Sequence, residues 1–149
     1  MPSRKVTRLD KTFKANWVTQ YEKDLEFASV AAEKGFYEWA CYLSQQAAEK
    51  AVKSVFFEIE ITSPKDLKTH AIGYLSGYVP KAFFDGVNIE VFERDCLALT
   101  EYIETARYPG VYDDHCPSGF YTEKNASDAI KQAERVIESV KLIEGNIGT

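Results

Sequence analysis

The sequence predicts an all-α fold, an up-and-down bundle of four or five helices. Three observations carry that reading. The stretch from Gly35 to Phe57, GFYEWACYLSQQAAEKAVKSVFF, has no Gly or Pro after its first residue and is rich in Ala, Gln, Glu and Lys. Such side chains lose little freedom in a helix. Its apolar residues fall into two overlapping stripes, Trp39, Leu43, Ala47, Ala51, Val55 and Cys41, Ala48, Val52, Phe56, Ile59. A helix that is apolar on two sides belongs in the middle of a bundle. Gln45, Glu49 and Lys53 then mark a narrow face left to water, with a solvated Glu49–Lys53 ion pair at i, i+4. Finally, segments before and after this stretch repeat apolar residues at helical spacing.

The first helix is expected over 14–34, with Trp17, Tyr21, Leu25, Ala28 and Ala32 as its stripe and Glu22, Lys23, Glu26 and Glu33 on the other side. Gly35 is a helix stop of the kind that takes positive φ cheaply, so this helix and the central one form an antiparallel hairpin. Thr62-Ser63-Pro64 breaks the chain. A short helix from His70 to Tyr78 follows, ended by Gly77 and Pro80, and Phe83 and Phe84 pin the loop 81–88 to the core. From Ile89 to Ala106 the pattern Ile89, Phe92, Cys96, Leu99, Ile103, Ala106 describes one helix, stopped by Pro109 and Gly110. The loop RYPGVYDDHCPSGFY, 107–121, is too aromatic to be a solvating linker and either docks on the domain or lines a pocket. Thr122 is the N-cap of the last helix, whose stripe is Ala126, Ala129, Ile130, Ala133, Ile137 and Val140 and which frays at Gly145. The division is therefore an N-terminal arm (1–13), one helical domain (14–144) and a short tail (145–149).

Bulk properties narrow the function classes. The chain has 149 residues, which suits one domain with a full core. A net charge of -5 argues against a general nucleic-acid-binding surface, though not against a local basic pocket. Three cysteines without CxxC spacing argue against a disulfide framework or a zinc site, and Cys41 and Cys96 read as core filler. The expectation is a reducing, cytoplasmic setting. Neither an uncharged apolar run of membrane length nor a signal core behind the basic N-terminus is present, so no membrane association is expected. No metal or cofactor is expected either: Asp113, Asp114 and His115 lack the further ligands that a stable ion site needs.

With the residues laid out, the chain resembles the HEPN (higher eukaryotes and prokaryotes nucleotide-binding) family. The resemblance rests on Asp24, Leu25 and Ala28 in the first helix and on the run Gly35, Tyr37, Trp39, Ala40, Cys41, Gln45, Gln46, Ala47, Ala48, Glu49, Lys50, Ala51 and Lys53. Thr69-His70 with Ile72 resembles the family's T-H-x-L segment, with Ile in place of Leu. Arg107-Tyr108-Pro109 and Tyr121-Thr122 before an Ala-rich helix complete a likeness over roughly 14–143. What it implies is a helical bundle, usually a homodimer, found beside minimal nucleotidyltransferases. Some members are metal-independent ribonuclease toxins of toxin–antitoxin systems, and others are silent nucleotide binders. This chain has no Gly-Ser followed by paired aspartates on a strand-like run, so transferase chemistry has to belong to a separate protein.

The ribonuclease members carry an Arg, four to six residues, then a His. Attack by a ribose 2′-hydroxyl needs a base for its proton and a cation for the charge building on phosphorus. Arg offers a fixed fork and His titrates near neutrality. Here Arg107 and His115 are separated by seven residues, YPGVYDD, outside the family spacing, and Asp113 and Asp114 repel a phosphate. Arg107 also reads as a cation on its helix's C-terminal carbonyls, and His115 as a solvated loop residue. Candidate nucleotide contacts are Arg107, Tyr108, Tyr112, Lys50 and Lys53. Tyr108, Tyr112 and Tyr121 are able to stack a base. His70, at a helix start, reads as a capping or loop contact. Three readings stand: a nucleotide- or partner-binding module accompanying a nucleotidyltransferase, a metal-independent endoribonuclease using Arg107 and His115 on RNA, and a purely structural dimer whose loop simply packs.

Overall fold

The structure, a computed structural model, describes residues 11–58, 72, 77, 79–110 and 114–147, apart from the side chains of 11–13 and 57–58. Among the described residues there is helix and no strand, as the periodicity requires. The helices are α1 (Lys11–Glu33), α2 (Tyr37–Glu58), α3 (Ile89–Thr100), α4 (Tyr102–Thr105), α5 (Pro117–Phe120) and α6 (Glu123–Ile147), with a 3₁₀ turn at Lys81–Phe84. The short helix expected over 70–78 lies mostly outside the described residues. Within it, Ile72 is helical and fully buried.

Helix α2 occupies the middle, packed against α1, α6 and α3. Ala47, Ala51 and Val55 of one stripe and Cys41, Ala48, Val52 and Phe56 of the other are all buried. Opposite them Ala28 and Ala31 of α1 and Ala126, Ala129 and Ala133 of α6 are buried as well. Small side chains on facing helices let backbones approach and exclude water along the full seam. Burial pushes the Cys41 thiol up to about 12 and raises Cys96 too, so both are inert filler rather than nucleophiles.

The α1–α2 connection follows from its glycine. Phe36 N–H donates to Ala31 O (2.8 Å) and Gly35 N–H to Ala32 O (3.1 Å), with Gly35 at φ 88°. This is the paired-bond Schellman ending, and a side chain at Gly35 would be strained in that conformation. Lys50 to Asp24 (2.7 Å) ties the two helices midway, and Lys14 to Glu144 ties the start of α1 to the end of α6.

Three expectations need correction. The row Gln45, Glu49, Lys53 is buried, not wetted. Gln46 donates to Gln45 (2.7 Å), Gln45 to Glu49 (2.9 Å) and Lys53 to Glu49 (2.8 Å), so the row finds partners within its own helix. The open face is instead Trp39, Leu43, Gln46 and Lys50, of which Trp39 is the most exposed. Second, the helix expected over 89–106 is interrupted at Glu101. Thr100 Oγ1 donates to Cys96 O (2.8 Å) and Thr105 Oγ1 to Glu101 O (2.7 Å), back-bonds that bend helices on either side of the break. Third, α6 does not fray at Gly145 but runs on to Ile147. Asn146 Nδ2 donates to Phe83 O and Asp85 O, both at 2.8 Å, and this clamp on the 3₁₀ turn offsets the helix cost of glycine.

The starts of α3 and α6 carry side-chain caps. Asn88 Oδ1 accepts from Val91 N–H (3.1 Å), and Thr122 Oγ1 accepts from Asn125 N–H (3.2 Å) while Asn125 Oδ1 accepts from Thr122 N–H (2.9 Å). Asp95 is buried in α3 and is forked by Arg135 of α6 at 2.8 and 2.9 Å. No helix among the described residues is long and apolar enough to cross a membrane.

Candidate functional site

The site is built on the C-terminal end of α4, where carbonyls lack helical partners. Arg107 Nε donates to Ile103 O (2.7 Å) and His115 Nε2 donates to Thr105 O (3.1 Å). Gly110, at φ 64°, donates its N–H to His115 O (3.0 Å), which ties His115 to this end. Despite the spacing of seven residues, Arg107 and His115 cap carbonyls two residues apart. Because a carbonyl only accepts, Nε2 of His115 carries a proton, so in the neutral ring any proton acceptance falls to Nδ1.

A second layer holds that geometry. Tyr121 O–H donates to Thr105 Oγ1 (2.7 Å), which in turn donates to Glu101 O, and the Tyr102 ring meets Tyr121 edge-on at 5.8 Å. Burial raises the Tyr121 phenol despite its bond to Thr105. Helix α5 begins with a buried Pro117, the residue whose fixed φ suits a helix start, and presents Phe120 to the His115 ring at 4.8 Å. The aromatic loop therefore docks through Tyr121, while Tyr108 and Phe120 stay exposed.

The Arg107 guanidinium lies 4.7 Å from the Tyr42 ring centre and 5.0 Å from that of Tyr108. Cation–π contact on two rings and one bond at Nε fix the plane of the fork. Among the described residues Nη1 and Nη2 have no hydrogen-bond partner, so the fork's outer edge is available to an anion. Tyr42, on the central helix, had no local signal in the sequence, since it meets Arg107 only through the fold.

The other candidates sit differently. The Lys50 ammonium is paired with Asp24, and Lys53 is buried against Glu49, so neither charge is offered at the Arg107 end of the molecule. Tyr112, Asp113 and His70 lie outside the described residues. Among the described residues no group of three or more His, Cys, Asp or Glu side chains is arranged to hold a metal ion. A groove of about 480 Å³ between α1 and α6 is lined by Leu25, Lys131, Glu134, Arg135, Ile137, Glu138 and Lys141, with Arg135 already paired to Asp95. Charges of both signs alternate on its walls, which gives no field that selects a phosphate.

The HEPN domain family model matches residues 15–143. The chain belongs to the HEPN family. A solved archaeal HEPN homologue, ST0689, is 34% identical and superimposes with a TM-score of 0.70 over 90% of this chain and 97% of that one. TT1696 from Thermus thermophilus is 26% identical with a TM-score of 0.75, over 86% of this chain and 95% of that one. Among curated proteins, "Putative toxin MJ1304" of Methanocaldococcus jannaschii is 29% identical over 134 residues, 84% of each chain. The two solved structures share the bundle described above, and the jannaschii relative carries the word toxin in its name.

Proposed function

We propose that this HEPN chain is a nucleotide-binding module in which Arg107 receives a phosphate. In this reading it works as a homodimer beside a separate minimal nucleotidyltransferase. The observation that carries the site is the Arg107 fork, held flat by Ile103 O, Tyr42 and Tyr108 with its outer nitrogens unbonded among the described residues. A pre-oriented guanidinium loses little freedom on binding and matches phosphate geometry through two parallel bonds. The partner and the dimer come from the family likeness. Calorimetric titration with nucleotides is the test. Arg107→Ala is expected to weaken binding tenfold or more, about 1.4 kcal/mol. Unchanged affinity in a variant with the wild-type circular dichroism spectrum would sink the assignment.

A second reading, a metal-independent ribonuclease of toxin type, is favoured by one observation. Arg107 and His115 reach the same helix end in spite of their spacing. The name of the jannaschii relative points the same way. The fork would bind the scissile phosphate and Nδ1 of His115 would take the 2′-hydroxyl proton. Purified protein incubated with RNA in chelator separates the readings. Under the ribonuclease reading cleavage appears and falls by a factor of about 100 or more in His115→Ala, in line with roughly 10²–10⁴ for a general base. RNA left intact by the wild-type protein supports the binding module.

A further inference from the structure

Trp39 belongs to neither reading so far, yet it stands next to the site. It opens the central helix with 46% of its surface exposed. Its ring meets Tyr42 edge-on, with centroids 6.0 Å apart and planes at 84°. Tyr42 in turn carries the Arg107 guanidinium at 4.7 Å, and Tyr108, 52% exposed, closes on that cation from its own side. The series Trp39, Tyr42, Arg107, Tyr108 is continuous. It has a cation inside and a solvent-facing aromatic ring at each end.

We propose that Trp39 is the base-stacking residue of the Arg107 site, and that the site's ligand is accordingly a short single strand of nucleic acid. One phosphate sits in the Arg107 fork and a neighbouring base lies on the indole. The inference rests on the reading that Arg107 takes a phosphate, and it adds what is read beyond that phosphate. The two ring contacts in series place the indole within reach of a base attached to, or adjoining, the bound phosphate. Stacking contributes about 1–3 kcal/mol per base and tolerates any sequence, because every base has a π-face. A duplex keeps those faces covered by its own stack. With a net charge of -5 the chain's overall field repels a polyanion, so affinity has to come from stacking and one local cation. Weak salt dependence follows, a slope of log K against log salt of about −0.7 for the one phosphate engaged.

The test uses a Trp17→Phe protein, in which Trp39 is the one remaining indole, titrated with single-stranded oligouridylate, the matching duplex and inorganic phosphate. Single strand is expected to quench Trp39 emission, whereas duplex and phosphate leave it unchanged. In the otherwise native chain, Trp39→Ala should weaken single-strand binding by about 5- to 150-fold. Trp39→Phe should restore most of the loss and Trp39→Leu should not. Phosphate binding should survive Trp39→Ala and disappear in Arg107→Ala. Emission that stays constant at saturating single strand overturns the proposal, as does full affinity in Trp39→Ala. A Trp39→Ala protein that only changes its oligomeric mass does so too, because the indole then serves a protein interface. Loss of phosphate binding in neither variant would instead count against the Arg107 reading itself.

Discussion

Lys53→Met is expected to destabilise the protein by about 3–5 kcal/mol. The substitution keeps volume and apolar stem but removes the cation, and Glu49 is left with a carboxylate whose side chain is only 8% exposed. Gln45 still donates to one of its oxygens, but a neutral donor does not replace the lost positive charge in a poorly solvated place. The double variant Glu49→Leu, Lys53→Met removes both charges and is expected to lie within about 1 kcal/mol of wild type, or above it, because the desolvation of two ions disappears with their attraction. Urea denaturation of the three proteins checks this through the midpoint at constant slope. The sizes discriminate: a solvated i, i+4 pair is worth about 0.3–0.5 kcal/mol. A Lys53→Met midpoint within that margin would return the row to the wetted face that its spacing suggests.

That row shows where a sequence stops being informative. Period alone tells that Gln45, Glu49 and Lys53 share one face. In a helix apolar on nearly every other side, however, there is little amphipathic contrast to say which face is open. The small polar bonds inside the row decide it, and they are a property of side-chain geometry. Phe92, Cys96 and Leu99 were legible because their spacing sits against charged neighbours. Gly35 and Thr122 were legible because a left-handed helix end and a side-chain cap each demand a particular residue type. Asp95 was not: its burial depends on Arg135, 40 residues further on. The same holds at the candidate site. Arg107 and His115 stand out by chemistry, but the Gly110–His115 backbone bond and the Tyr42 ring under the guanidinium come from tertiary contact. A spacer count does not measure the distance between the two side chains it separates.

Leu99→Ala is expected to cost about 2–5 kcal/mol, and Leu97→Ala, two residues earlier on the same helix, about 0.5 kcal/mol or less. Leu99 is fully buried in the main core, whereas Leu97 is 60% exposed. Truncating the first removes transfer free energy and leaves a cavity that α2 and α6 only partly fill. The effect reaches the site because Leu99 stands one turn before Ile103, whose carbonyl holds Arg107, and ahead of Thr105, which receives both His115 and Tyr121. Between Leu99 and these carbonyls the helix is already interrupted at Glu101, so α4 depends on α3 for its footing. Nucleotide affinity measured at a temperature where both variants are folded should therefore drop in Leu99→Ala and hold in Leu97→Ala. Equal affinities in the two would mean that the Arg107 corner is held by its own bonds, to Tyr42 and through Tyr121, independently of the core beneath α3.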